Sequence, residues 1–328
     1  MEQVLELLLP KKTRPLCPGE IESDPEKRVE LLFWQNQLDL LASGKVCWES
    51  FVQNLDGGLV SHPAVRRAAA EDGQTFLHLA VVADRIDYVK ELAADPYLKL
   101  RKNRFGLTPV EIAQFLNRKE CARLLNAIPE RDFGTLFPEV EQQLPHLQYL
   151  THPIFEKDDV LKRILIRTQK AKAGDEIPPE RIWMGIYFDK EIQKGLHPPV
   201  SIRFLDNEVG WGVFAEKRIP PCAFVGEYTG VVKERKRKHL KEKVYCVRYT
   251  TWGGGVKKYV IDGEEKGNFT RFINHSAKPN LGLQSVYWRG VPRMIFVAVK
   301  EIQEGTQLTF DYGSFFWKEC CQTPKLFE

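Results

Sequence analysis

The seven cysteines of this 328-residue chain include no CxxC pair: Cys17, Cys47, Cys121, Cys222 and Cys246 stand apart, and Cys320 and Cys321 are adjacent. Finger or ribbon spacing is absent, which argues against a zinc cluster and for free thiols in a reducing compartment. No apolar run approaches the ~18 residues that a membrane span needs. The opening MEQVLELLLPKK holds only a short apolar run with an acidic residue before it, a poor Sec-type signal, although a specialised secretion signal would escape that test. Strong charge of either sign is also missing. A formal net charge of +4 is too mild to argue for nucleic-acid binding on its own. No Ser/His/Asp or paired-carboxylate arrangement stands out, so hydrolase-type acid–base chemistry has no support. What is present is a soluble, globular composition, 43% hydrophobic and 28% charged, at a length that suits about two domains.

Residues 1–71 carry a helical period. From Asp24-Pro25 onward, Val29, Leu31, Leu32, Trp34, Leu38, Leu40 and Leu41 recur near helical spacing. A second helix is expected over Trp48–Leu55, stopped by Gly57-Gly58, and a third over Ala64–Ala70. Over residues 72–128 the chain repeats itself. Gly73 and Gly106, and Thr75 and Thr108, are each 33 residues apart. That period and a T-P-L-H-x-A pattern split between the copies (Thr75, His78, Ala80; Thr108, Pro109, Ala113) resemble two ankyrin repeats. The resemblance implies a turn glycine, a Thr–His tie and a small alanine between paired helices, so His78 is expected to be structural rather than a ligand. Two repeats are fewer than the ~3 that an isolated array needs, so neighbouring segments must cover the ends. The repeats either bind a protein partner or brace the adjacent domain.

In residues 129–197, Pro129, Pro138, Pro145 and Pro153 punctuate what reads as an irregular connector. Asp158–Lys172 reads as an amphipathic helix with a basic face, ended by Ile177-Pro178-Pro179. The run WMGIYF (Trp183–Phe188) reads as a short strand.

The last segment, 198–328, is strand-rich. Val200–Phe204 is followed by GWGVFA (Gly210–Ala215) and GEYTG (Gly226–Gly230), and KVYCVRYT and KKYVIDG read as two strands around a Gly253-Gly254-Gly255 loop. From Gly267 to Gly313 come GNFTRFINHSAKPN, an apolar strand, and QLTFDYG. Here Asn274-His275-Ser276 and Asp311-Tyr312-Gly313 are polar clusters among Phe, Ile, Val and Leu. Polar side chains in a core must be hydrogen-bonded, because leaving one unpaired costs roughly 1–3 kcal/mol. By themselves these clusters fit two buried structural networks. RFINHSxxPN followed by LTFDYG, in that order, resembles the signature of SET-domain protein lysine methyltransferases, and the resemblance continues from about Pro198 to the end.

The resemblance implies a pseudoknot between the NHS segment and the C-terminal segment. It places S-adenosylmethionine on Gly210, Trp211, Gly212, Tyr245, Arg271, Phe272, Asn274 (through its side chain) and His275 (largely through its backbone). A purely structural His275 is the alternative. Glycine lets backbone approach a ligand without a Cβ clash. Tyr312 matches the catalytic tyrosine, and Tyr245 a second active-site tyrosine bordering both cofactor and lysine. The residue types suit the chemistry: methyl transfer needs a neutral amine, whereas free lysine has a pKa near 10.4. An apolar channel rimmed by hydroxyl and carbonyl oxygens desolvates the ammonium and orients its lone pair. Phe310 falls at the family's Phe/Tyr switch position. It lacks the hydroxyl that would hold a water against a methylated amine, so di- or trimethylation is expected. Phe315, Phe316 and Trp317 are expected to close the substrate channel, and Glu227 and Asp311 to fix backbone. Two departures point to an enzyme without zinc. The family's HSCxPN cysteine is Ala277, and Cys320-Cys321 stand in place of a post-SET triplet; the cysteine-rich pre-SET region is missing as well.

The expected fold class is α+β multidomain, with a helical and ankyrin-repeat N-terminal half and a β-rich SET domain with a pseudoknot. Its parts are a helical region (1–71), two repeats (72–128), a connector and pre-SET-like helical segment (129–197) and the catalytic domain (198–328). The expected function is S-adenosylmethionine-dependent lysine methylation of a histone tail. A non-histone methyltransferase and a non-catalytic ankyrin/SET scaffold remain as alternatives. Ankyrin-plus-SET order resembles chromatin modifiers and the nuclear effectors of intracellular bacteria, so the nucleus (a host nucleus for an effector) is the expected location, and otherwise the cytoplasm. The basic run Lys233–Lys243 reads as a solvated helix face or a contact to nucleosomal DNA. No membrane partner is expected.

Overall fold

The computed structural model describes residues 24–53, 63–127, 129, 131–235, 244–254, 258–314 and 316. The chain divides into two compact units, 1–114 with 118–127, and 115–117 with 128–328. Among the described residues no helix is long and apolar enough to cross a membrane.

The first unit is helical. Helix α1 (Pro25–Ala42) starts where Asp24 accepts the Glu26 N–H at 3.1 Å and Pro25 supplies a preset first turn. It buries Trp34 and Leu38. Helices α2 (Trp48–Gln53) and α3 (Pro63–Arg67) follow; the expected stop at Leu55 and Gly57-Gly58 lies outside the described residues. The rings of Phe51 and Phe76 pack edge-on against Trp34 at 6.2 and 5.8 Å.

Then come α4 (Phe76–Val82), α5 (Ile86–Leu92), α6 (Pro96–Leu100), α7 (Pro109–Phe115) and α8 (Lys119–Leu124). The pairs α4/α5 and α7/α8 keep the 33-residue offset of the sequence. Their caps correspond too. Thr75 and His78 close a reciprocal capping box, with His78 Nδ1 accepting the Thr75 N–H at 3.2 Å. At the equivalent place Glu111 accepts both the Thr108 N–H and its hydroxyl at 2.8 Å. His78 Nε2 also reaches the Leu107 carbonyl, at 3.1 Å, linking one copy to the next. His78 is fully buried, and burial presses its pKa down to about 4. Gly73 is needed for two reasons: its φ is +75°, and an added Cβ would sit 2.7 Å from the Arg104 nitrogen.

In the second unit the connector is more regular than its prolines imply. It holds α9 (Phe133–Leu136), α10 (Pro138–Gln143), β1 (Gln148–Tyr149) and β2 (Ile154–Phe155). Helix α11 (Asp158–Ala173) ends on Gly174, and not at the two prolines. Those prolines open α12 (Pro179–Tyr187), which contains most of WMGIYF and corrects the expected strand. Proline at the first helical position loses nothing, since that N–H has no helical partner. Burial follows a helical period: Trp183, Ile186 and Tyr187 are exposed, whereas Gly185 meets the Tyr287 carbonyl so closely that a Cβ would clash. Helix α13 (Asp189–Lys194) completes the segment.

Strands β3 (Val200–Asp206) and β4 (Gly210–Ala215) form a hairpin. They are followed by β5 (Phe224–Glu227), β6 (Val231–Glu234), β7 (Cys246–Tyr249), β8 (Tyr259–Asp262) and β9 (Lys266–Gly267). After a 3-10 turn (Phe269–Phe272) come β10 (Asn274–His275), β11 (Leu281–Trp288), β12 (Val291–Ala298) and β13 (Thr309–Phe310). The larger sheet has the order β10-β13-β11-β12-β5, and a second runs β2-β6-β8-β7. The expected single apolar strand is therefore a hairpin. Arg289 and Gly290, with φ of 47° and 84°, both lie in the left-handed region that a tight hairpin turn requires. Of the basic run, 236–243 lie outside the described residues. Lys233 is in β6, not on a helix face, and pairs with Asp262.

Candidate functional site

Segments far apart in sequence meet at one edge of the larger sheet. Strands β10 and β13 pair in parallel, setting Asn274 opposite Thr309 and His275 opposite Phe310. The turn before β10 is anchored by Asn268, which accepts the Thr270 N–H at 3.1 Å and donates to the Glu227 carbonyl at 2.9 Å. Tyr312 directly follows this pairing. Its N–H donates to His275 Nδ1 at 3.2 Å, and its hydroxyl donates to the Ile273 carbonyl at 3.1 Å. The two polar clusters, half-buried rather than buried as expected, are thus hydrogen-bonded to each other. Asp311 is exposed and accepts the Gly313 N–H at 2.8 Å, which is the backbone role expected of it.

The ring of Tyr312 lies 4.8 Å from that of Phe310 and 4.6 Å, edge-on, from that of Phe316. These three, with Tyr228, Ile273 and Arg271, line a cavity of about 230 Å³. Trp317, Phe315, Cys320 and Cys321 lie outside the described residues.

Tyr245 is held from several sides. The Arg271 guanidinium stands 3.7 Å from its ring centre, close enough for a cation–π contact. Arg271 is itself buried, donating to the carbonyls of Gly263 at 2.7 Å and Glu264 at 3.1 Å. The Tyr245 carbonyl accepts the Tyr228 hydroxyl at 2.9 Å and the Gly263 N–H at 2.9 Å. Burial holds the Tyr228 phenol far above its ordinary pKa, so it donates at any ordinary pH.

A second group adjoins the first. The Asn274 amide donates to the Trp211 carbonyl at 3.0 Å, and the Trp211 ring lies 6.1 Å from that of Phe272. Gly210 has a φ of +76°, and a Cβ built on it would meet nothing within 4 Å, so open space lies over that backbone. Gly212 differs: a Cβ there would come 2.8 Å from the Gln307 amide. Gly210, Trp211, Gly212, Phe272, Asn274 and His275 are therefore brought together, and Arg271 bridges to the cavity. Among the described residues, no group of three or more His, Cys, Asp or Glu could hold a metal ion.

Residues 210–313 match the SET domain. Human histone-lysine N-methyltransferase EHMT1 is 34% identical over 134 residues, 39% of this chain and 10% of that protein. Histone-lysine N-methyltransferase ash1 of Drosophila melanogaster is 34% identical over 151 residues, 42% of this chain and 6% of its own. Mouse histone-lysine N-methyltransferase SETMAR is 31% identical over 147 residues, 42% of this chain and 47% of its own. The chain thus spans less than half the length of each. A crystal structure of KRYPTONITE with mCHH DNA, an H3(1-15) peptide and SAH covers 37% of this chain at 30% identity, with a TM-score of 0.31.

The fold adds two arrangements around these residues that the sequence did not reveal. Tyr228 stands inside GEYTG, yet only the fold shows its hydroxyl supporting Tyr245. The carboxylate of Glu227, expected to fix backbone, instead binds a side chain. It forms a bidentate pair with Arg293, both bonds at 2.5 Å, and Arg293 also donates to His152 Nδ1 at 3.2 Å. Burial, with Arg293 beside it, presses the pKa of His152 to about 3. A neutral His152 is therefore the acceptor.

Proposed function

We propose that this chain transfers a methyl group from S-adenosylmethionine to a protein lysine, with a histone tail as substrate. The observation that carries the reading is the cavity lined by Tyr312, Phe310, Phe316 and Arg271, with Asn274 bonded to the Trp211 carbonyl close by in the chain. The relatives, all histone-lysine N-methyltransferases, favour a histone.

When bound, the cofactor supplies an electrophilic methyl on a sulfonium centre. The open space over Gly210 fits a ligand lying against that backbone; Trp211, Arg271, Phe272, Asn274 and His275 would flank it. The cavity walls do the rest. Phe310, Phe316 and the Tyr312 ring strip water from the lysine, which lowers its pKa toward the neutral form. Tyr312, with its hydroxyl hung on Ile273, and Tyr245, clamped between Arg271 and Tyr228, hold the amine in line. Phe310 is buried against Phe296 at 4.9 Å and brings no hydroxyl to the cavity, which supports di- or trimethylation. The 33-residue offset of α4/α5 and α7/α8, with matched caps, supports an ankyrin-type reading of 72–127 and a partner-binding or bracing role. Action on histones implies a nuclear location.

Radiolabelled methyl transfer to core histones and to lysate, comparing wild type with Tyr312→Phe, tests the proposal. Labelling of a histone band that falls at least ~100-fold in the variant, the scale of losing one pre-placed catalytic hydroxyl, supports it. Equal labelling by both proteins removes Tyr312 from its role, and no labelling by wild type favours a scaffold.

A further inference from the structure

Helix α12 packs closely on β11 through Gly185 and turns its other side to solvent. That side carries Trp183, Ile186 and Tyr187, which are 68%, 64% and 74% exposed. At spacings of three and four residues they form one stripe on the helix surface. Two aromatic side chains and an isoleucine exposed to this degree offer on the order of 400 Å² of apolar surface, as much as the largest patch on a typical monomer.

Two charges bracket the stripe. Glu180 is exposed one turn before Trp183, and Lys190 is exposed one turn after Tyr187. Neither forms an ion pair among the described residues. Their neighbours are engaged: Asp189 holds Arg289 and the Trp288 indole, and Arg181 donates to Gln284. Lys190 belongs to α13, but the helical direction survives the break at Phe188. The Phe188 N–H donates to the Met184 carbonyl at 3.0 Å, and its own carbonyl accepts the Ile192 N–H at 2.9 Å. Glu180, Trp183, Tyr187 and Lys190 therefore follow one another along a single seam, of the kind through which two helices pack.

The order acid, aromatic, aromatic, base is complementary to itself when reversed. A second copy set antiparallel, with a two-fold axis at the level of Gly185, brings Trp183 against the partner's Tyr187 and Glu180 against the partner's Lys190. The symmetry makes each contact twice. We propose that this face is the interface of a homodimer, with α12 packed antiparallel on α12 of a second copy. The proposal does not depend on the methyl-transfer reading. Two such stripes and their polar rim come to about 1,000 Å², the lower end of specific interfaces, and Trp and Tyr are the residues that carry binding energy there. The charges around the stripe are balanced, Glu180, Asp189 and Glu191 against Arg181, Lys190 and Lys194, whereas a helix that lies on anionic lipid is rich in Lys and Arg.

Sedimentation of the full chain over a concentration series reaching about 100 μM tests the interface. Wild type is expected to pass from the 37.9 kDa of one chain toward twice that mass. Trp183→Ala/Tyr187→Ala is expected to weaken association at least ~100-fold, with circular dichroism checking that it stays folded. Glu180→Lys sets like charges opposite each other twice and is expected to weaken it about tenfold. Glu180→Lys/Lys190→Glu is expected to restore it, because each reversed charge again meets its opposite. If the aromatic variant does not fold, the charge variants decide alone. A wild type that keeps the mass of one chain throughout overturns the proposal. So does a dimer that survives in the folded aromatic variant, since its contact then lies elsewhere. Failure of the double reversal to recover association overturns the antiparallel pairing. A wild type that stays monomeric and sediments with phosphatidylcholine/phosphatidylserine vesicles assigns the stripe to a membrane and overturns the dimer too.

Discussion

Replacing Glu227 with Gln is expected to be among the most damaging single changes in the second unit. The side chains of Arg293 and Glu227 are 0% and 3% exposed, and two charge-assisted bonds join them at 2.5 Å. The rest of the guanidinium's surroundings cannot substitute for the carboxylate. His152 offers one neutral lone pair, Trp288 offers a ring face at 4.6 Å, and Nη1 has no hydrogen-bond partner among the described residues. Removing the negative charge leaves a buried cation with no counter-charge, a change that costs about 3–5 kcal/mol. Removing both charges with Glu227→Leu/Arg293→Met avoids that penalty and is expected to recover all but about 1–2 kcal/mol. Urea unfolding of the full chain, followed by circular dichroism and tryptophan fluorescence, measures both. Tyr228 follows Glu227 and donates its N–H to the Met294 carbonyl at 2.8 Å, so the double variant should keep the channel wall and its methyl transfer. A loss below about 1 kcal/mol in Glu227→Gln, the worth of an exposed pair, would refute the reasoning by showing that water reaches the guanidinium.

Gly185→Ala is expected to push α12 off β11 and destabilise the protein by about 1–3 kcal/mol, read as a lowered melting temperature. His78 makes the first unit acid-sensitive. Its folded pKa of about 4 is below the ordinary 6.5, so the unfolded chain takes up the proton first. Stability is whole above pH 6.5 and falls between about 6.5 and 4 by about 3 kcal/mol; chemical unfolding across that range should show the slope, reduced in His78→Gln. Phe310→Tyr, which adds a hydroxyl to the channel wall, is expected to shift the methylated product toward monomethyl by mass spectrometry; an unchanged distribution would remove Phe310 from that role.

The sequence carried the features written in local patterns. The 33-residue offset survives in the helix pairs because each copy closes its own turn and cap through residues three apart: Thr75 with His78, and Thr108 with Glu111. Asn274-His275 and Asp311-Tyr312-Gly313 are legible through the resemblance to SET-domain methyltransferases, since by themselves they fit two structural networks equally well. Local signals also misled. WMGIYF is rich in strand-favouring residues, and Pro178-Pro179 can either end a helix or open one. Only contact with β11, at Gly185, decides for the helix. The apolar run after Asn280 hid the Arg289-Gly290 turn because β12 is buried at nearly every position and β11 is at least half-buried, so no polar alternation marks the turn.

The sequence by itself, through its resemblance to SET-domain methyltransferases, supplied the residues proposed for the chemistry: Tyr245, Asn274, His275, Phe310 and Tyr312. The tertiary structure alone decided how they are held. Arg271 braces the ring of Tyr245, Tyr228 holds its carbonyl, and the Trp211 carbonyl receives the Asn274 amide across 63 residues. Such contacts follow from strand register, and register depends on the burial of whole faces rather than on any short run of residues.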